Sequence, residues 1–131
     1  MAEEYRLRVI GRVESALRRR EDAPKQHGDG APDASVVIDP PFADAASDIR
    51  PGDRIVLLTW LHLSDRDVLR VHPRGDESRP LTGVFSTRSP ARPNPVGLHH
   101  VEVLSVESGR LHVRGLEAVD GTPVVDVKPD R

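Results

Sequence analysis

The sequence has 131 residues, of which 37% are hydrophobic, 31% charged and only 3% aromatic, with a formal net charge of −2. That length suits one domain with a single core, since domains commonly run to about 100–150 residues. The charge balance excludes a global positive field, the lack of cysteine excludes disulfides and thiolate-bound metal, and no apolar run is long enough for a membrane span or a signal peptide, so a cytoplasmic protein without a membrane partner is expected.

In chain order, residues 5–13 (YRLRVIGRV) alternate Tyr5, Leu7 and Val9 against Arg6 and Arg8, which predicts a half-buried strand. Residues 14–33 are charged and then rich in Gly, Pro and Asp, so they read as a long loop, and loops of that length are usually functional or disordered. A short strand over 34–39 is closed by Pro40-Pro41, and 42–49 have room for one or two helical turns before Pro51-Gly52-Asp53. Residues 54–63 (RIVLLTWLHL) form the most apolar run and predict a central strand buried on both faces. Further strands are expected over 67–72, 98–106, 110–119 and 122–129, with a turn over 74–80. About seven short strands, little helix and regular turn chemistry predict an all-β, mostly antiparallel barrel or sandwich over 1–131, with no C-terminal extension domain.

The strands over 98–106 and 110–119 flank Glu107-Ser108-Gly109, a hairpin signal. If Glu107 opposes Arg110, regular alternation sets Val106 against Leu111 and Leu104 against Val113 on one face. The other face then holds Val101 and Val103 beside Arg110, His112 and Arg114. Either a second packed surface, such as a dimer contact, or a sandwich with both faces partly covered accounts for those valines.

Pro90, Pro93 and Pro95 fall within six residues of the stretch GVFSTRSPARPNPVGL (83–98). Each proline fixes its own φ, removes an amide donor and pushes its predecessor towards an extended conformation. The segment is therefore a stiff loop whose carbonyls must find side chains, water or a ligand. Arg88 and Arg92 supply forked donors for a carboxylate or phosphate, and Thr87, Ser89 and Asn94 supply shorter reach. Two readings stand: a prebuilt ledge for a small polar or anionic group, or a rigid crossover whose arginines pack on carbonyls.

DGTP (120–123) reads as a turn between strands, and alternatively as a pocket lining made of Asp120 and the amides of Gly121 and Thr122. Asp126 lies inside an apolar strand, placed to pair with Lys128 or to reach an arginine of the proline loop. His62 ends the most buried strand, where a core or rim histidine competes with a ligand contact. Adjacent His99 and His100 point to opposite faces of their strand. No histidine pair has the helical spacing of a metal site, and the chain lacks a dinucleotide fingerprint, a P-loop and a nucleophile elbow.

GVFSTRSPARPNPVGL followed by DGTPVVDVKP at this spacing resembles the TrmO/TsaA-like family, and the resemblance extends to VIGRVES (9–15) and PKQ (24–26). It implies a dimeric β-barrel that binds S-adenosylmethionine and methylates N6 of threonylcarbamoyladenosine 37 in tRNA. Carried over to this chain, the implied cofactor site comprises Pro24, Lys25 and Gln26 in the long loop, His62 and Leu63 after the apolar strand, Arg88 and Leu98 around the prolines, and Asp120, Gly121, Thr122 and Pro123 in the last turn. A sulfonium methyl transfer needs alignment more than a protein nucleophile. Asn94 and Asp126 are the candidates for handling the acceptor's N–H, and Arg92 for holding its phosphate or carboxylate. A small-molecule acceptor, or a non-catalytic S-adenosylmethionine-binding regulatory module, is the alternative on the same cofactor site.

Overall fold

The structure, a computed structural model, describes residues 3–16 and 33–131. The long-loop residues Pro24, Lys25 and Gln26 lie outside the described residues. The strands are β1 (Gly11–Glu14), β2 (Ala34–Ile38), β3 (Arg54–Trp60), β4 (Arg70–Val71), β5 (Thr82–Gly83), β6 (Val96–Glu107), β7 (Arg110–Arg114) and β8 (Pro123–Pro129). Six of them form a ring in the order β1-β2-β7-β6-β3-β8, with every neighbouring pair antiparallel. The seam between β1 and β8 is short, with Gly11 opposite Val124 and Arg12 opposite Pro123. β4 and β5 make a separate two-stranded pair. The all-β barrel expected from the sequence is therefore the observed architecture. Among the described residues no helix is long and apolar enough to cross a membrane.

The barrel is filled by small apolar side chains, chiefly Val13, Val36, Leu57, Val103, Leu111 and Val124, all essentially without solvent exposure. Alternation puts them there: in β3, Ile55, Leu57 and Thr59 point inward, while Val56, Leu58 and Trp60 face outward and stay half-buried. The strand expected to be buried on both faces is thus buried on one and half-buried on the other. Gly97 of β6 sits directly opposite Thr59. A Cβ at Gly97 would overlap Thr59 Oγ1 and come within 2.8 Å of His99 Nε2, so only glycine leaves room for the Thr59–His99 hydrogen bond of 2.8 Å.

Several element boundaries differ from those read from periodicity. The first strand begins at Gly11, not Tyr5, and Tyr5 and Leu7 are 84% and 59% exposed. Ile10 is the last residue with bonds on both sides, to Val124 O and from Asp39 N–H, each 2.8 Å, so no ladder supports the alternation before it. The helical turns expected over 42–49 are a 3-10 segment, Pro40–Ala46, that starts on the paired prolines. The strand expected over 67–72 shrinks to Arg70–Val71, and the one over 110–119 stops at Arg114. Gly115 turns the chain at φ +75, and Leu116, Ala118 and Val119 then fold inward.

The hairpin keeps its expected register at the turn, with Glu107 opposite Arg110 and Val106 opposite Leu111. Farther down, Val103 rather than Leu104 opposes Val113, because Leu104 is an extra residue in a β-bulge. The bulge exchanges the faces, so Val101 and Val103 belong to the core and not to an outer surface. His99 does face inward and His100 outward, where it pairs with Asp130 at 3.0 Å.

Candidate functional site

Antiparallel pairing fixes where the connections go. The C-terminal ends of β1, β3 and β7 and the N-terminal ends of β2, β6 and β8 lie on one rim of the barrel. The connections 15–33, 61–95 and 115–122 therefore begin and end there, while the connection 39–53, with its 3-10 segment, and the hairpin turn occupy the opposite rim. His62, Leu63, Arg88, Arg92, Asn94 and Asp120 to Pro123 are thus gathered at one end of the molecule.

The proline segment solves its shortage of amide donors with two arginines. Arg92 donates through Nη2 to Val84 O (2.7 Å) and through Nη1 to Ser89 O (3.1 Å) and Thr87 O (3.2 Å). Its guanidinium also lies over the Phe85 ring, 5.9 Å from the centroid. Arg66 donates through Nε to Pro93 O (2.7 Å) and through Nη2 to Asn94 Oδ1 (3.0 Å), and stacks 5.0 Å from the centre of the Trp60 ring. Short bonds from Ser89 N–H to Thr87 Oγ1 and from Leu61 N–H to Pro95 O complete the lock.

The two arginines of the segment therefore differ. Arg92 turns inward and holds carbonyls, as in the crossover reading of the sequence. Arg88 is exposed and has no hydrogen-bond or ion-pair partner among the described residues, which leaves a full guanidinium fork for a ligand, as in the ledge reading. Asn94 is exposed, with its side-chain oxygen accepting from Arg66. Arg66 itself was not singled out in the sequence, because nothing local in SDRD connects it with prolines nearly thirty residues on.

The 120–123 turn is pinned from within. Gly121, at φ +84, donates its amide to Val13 O (2.7 Å), and Thr122 donates its amide (3.2 Å) and hydroxyl (2.7 Å) to Val119 O. Those two amides are consequently committed to the fold and do not line a pocket as donors. Asp120 Oδ1 accepts from the Ser15 amide at 3.0 Å, so its carboxylate ties down the first residue of the long loop.

Leu98 and Asp126 lie not in the loops but on the barrel's outer wall below them. The register sets Leu98, Leu58 and Asp126 in one row across β6, β3 and β8, with Leu98 and Asp126 about 10 Å apart by strand spacing. The next rows are Val96 with Trp60, and His100, Val56 and Lys128. Asp126 pairs with Lys128 Nζ at 3.1 Å and accepts the Val127 amide at 2.9 Å, the same-face ion pair expected from the sequence. Shallow recesses lie among the described residues. One of about 220 Å³ is lined by Leu69 and Gly83 to Ser86, and one of about 170 Å³ by Ser35, Ser105, Glu107, Arg110 and His112. Neither is lined by a residue assigned to the cofactor from the sequence.

A six-stranded antiparallel barrel with the arginine-locked 61–95 connection on one rim defines a small loop-bearing barrel. Residues 12–130 match the family described as the tRNA-methyltransferase O N-terminal domain, and the chain belongs to that family. Over 127 residues it is 50% identical to a probable S-adenosyl-L-methionine-binding protein of Methanothermobacter thermautotrophicus, covering 96% of this chain and 90% of that one. It is 43% identical over 122 residues to an S-adenosyl-L-methionine-binding protein of Archaeoglobus fulgidus, covering 93% and 86% of the two chains. The fold superposes on the crystal structure of TrmO from Pseudomonas aeruginosa with a TM-score of 0.78 and 28% identity. That superposition covers all of this chain but 56% of the TrmO chain, so this protein spans little more than half the length of that relative.

Proposed function

We propose that this protein binds S-adenosyl-L-methionine at the loop-bearing rim and transfers its methyl group to N6 of threonylcarbamoyladenosine 37 in tRNA. The observation that carries the cofactor reading is the division of labour between the two arginines. Arg92 and Arg66 hold the proline segment rigid, and Arg88 projects from that base as a cation with no partner among the described residues. The names of the relatives from M. thermautotrophicus and A. fulgidus support the same ligand.

The donor set fits such a molecule. The Arg88 fork suits its carboxylate, and the Asp120 carboxylate at the base of the long loop suits an ammonium or a ribose hydroxyl. Lys25, with Pro24 and Gln26, completes the proposed set from the long loop, and His62, Leu63 and Leu98 would flank the cofactor from the end and outer wall of the barrel. When bound, the cofactor supplies an electrophilic methyl group for in-line displacement. The protein then has to align the acceptor and accept one proton. Asn94 and Asp126 serve that role only by exchanging present partners, Arg66 and Lys128 respectively. Arg92 would reach an acceptor phosphate only by giving up carbonyls of its own loop.

A second reading, a cofactor-binding module without catalysis, is favoured by those engaged side chains and by relatives named for binding alone. A small-molecule acceptor is the third outcome of the same assay. The protein acts as a homodimer in this proposal, joined through the outer wall of β6 and β3. Val96 and Leu98 are exposed there beside half-buried Leu58 and Trp60.

Calorimetry with S-adenosylmethionine on wild type and Arg88→Ala tests the site. Micromolar binding is expected for wild type, with affinity falling about tenfold or more in the variant on loss of a charge-assisted pair. Absence of binding by folded wild type removes the cofactor reading. Methyl incorporation into tRNA, into a metabolite pool or into neither then separates the three acceptor readings.

A further inference from the structure

The 3-10 turn Val84–Ser86 places an aromatic ring where the fold has no use for it. Val84 is buried and donates its amide to Leu69 O at 3.0 Å, and the Thr87 hydroxyl donates to Val84 O at 2.9 Å, so the turn is fixed at both ends. Phe85 on that fixed turn is 81% exposed. The Arg92 guanidinium covers one face of the ring, and Arg92 is itself held by three carbonyls. The contrast with the other cation–ring pair is informative. Trp60 under Arg66 is half-buried and belongs to the wall of the barrel, whereas Phe85 stands clear of the surface. It forms the edge of the 220 Å³ recess whose other walls are Leu69, Gly83 and Ser86.

The charge around it is of one sign along the chain. From Arg79 to Val101 there is no Asp or Glu, while Arg88 and Arg92 fall in that run on the same proline segment, in a protein whose net charge is −2. A flat apolar ring, backed by a fixed cation and set in an acid-free stretch, has the chemistry of a platform for a planar, electron-rich ring attached to an anionic backbone. A guanidinium behind the ring draws electron density from it and so strengthens stacking with a purine on the open face.

We propose that Phe85, backed by Arg92, is a stacking platform for an unpaired base of a single-stranded nucleic acid, lying beside the cofactor site and separate from it. The inference rests on the reading of the rim as a site that meets RNA, and it adds the residue that receives a base. Arg92 is then a positioning residue, since it holds the ring and the loop and does not itself take the acceptor's phosphate.

The test uses the whole protein with fluorescein-labelled oligoadenylate, followed by anisotropy, alongside calorimetry with S-adenosylmethionine. Phe85→Ala and Phe85→Leu are expected to weaken oligoadenylate binding about tenfold, and Phe85→Trp to keep or strengthen it. All three are expected to bind S-adenosylmethionine as wild type does. An oligomer of the same length with abasic sites is expected to bind wild type as weakly as oligoadenylate binds Phe85→Ala. If wild type binds oligoadenylate and Phe85→Ala binds it equally well, the platform is overturned while the RNA reading stands. If wild type binds no oligoadenylate, both fall. If Phe85→Ala loses S-adenosylmethionine affinity with its fold intact, the ring serves the cofactor and the proposal is overturned.

Discussion

At the residue scale, the inside of the barrel is set by a glycine and a histidine as much as by its valines. Gly97, Thr59 and His99 occupy one patch of interior wall, and the Thr59–His99 bond exists because position 97 carries no side chain. Gly97→Ala should therefore destabilise the protein by about 1–3 kcal/mol, the usual cost of forcing extra atoms into a packed wall. Thermal unfolding checks this, and the pair adds a sharper test. Thr59→Ala alone should also destabilise, by stripping His99 of a partner, yet the double variant should be less destabilised than the two single losses added together. That Gly97 needed to be glycine was not legible in PVGLHH, since the reason lies on another strand. That His99 and His100 face opposite ways was legible, because strand alternation alone decides it.

At the scale of elements, the proline segment is stiff in sequence and becomes rigid only through partners from outside it. Arg66 reaches across to Pro93 and Asn94 while stacked on Trp60. Arg66→Ala removes two hydrogen bonds and a cation–π contact, a loss of about 1–2 kcal/mol of loop-holding interaction. The expected result is weaker S-adenosylmethionine binding with little change in the unfolding midpoint. The emission of Trp60, the only tryptophan of the chain, should also shift to longer wavelength as its ring is uncovered. Arg66→Lys should fall between the two, since an ammonium keeps the charge without the fork. Composition showed that carbonyls in this segment would lack amide partners. It did not show that one arginine of the segment would be used to satisfy them and the other left out. The hairpin carries a similar lesson. Turn chemistry fixed the pairing near Ser108-Gly109, but VEVLSVE alternates the same way with or without a bulge. Only packing of Val101 and Val103 into the core selects the bulged register.

At the scale of the molecule, the exposed apolar side chains of the outer wall bear on assembly. Leu98→Asp places a carboxylate on the exposed outer wall in the row shared with Leu58 and Asp126, where a second copy would have to bury it. If two copies meet through this wall, sedimentation should show wild type as a dimer and the variant as a monomer at equal concentration, with the barrel still folded by circular dichroism. A wild type that sediments as a monomer throughout would remove the dimer from the proposed function. The barrel class was legible from short strands and turn spacing. The gathering of residues far apart in sequence on one rim was not, because it follows from strand order, which no single segment encodes.

The same strand order fixes the direction in which the chain's last residues point. β8 runs away from that rim, and Asp130 is held at the other end by the hydrogen bond its N–H donates to Arg54 O and by its contact with His100. A linker attached at Arg131 would thus leave from the floor of the barrel. Protein immobilised through it would present the rim that holds the 61–95 and 115–122 connections outward, in one orientation, to whatever is passed over the surface.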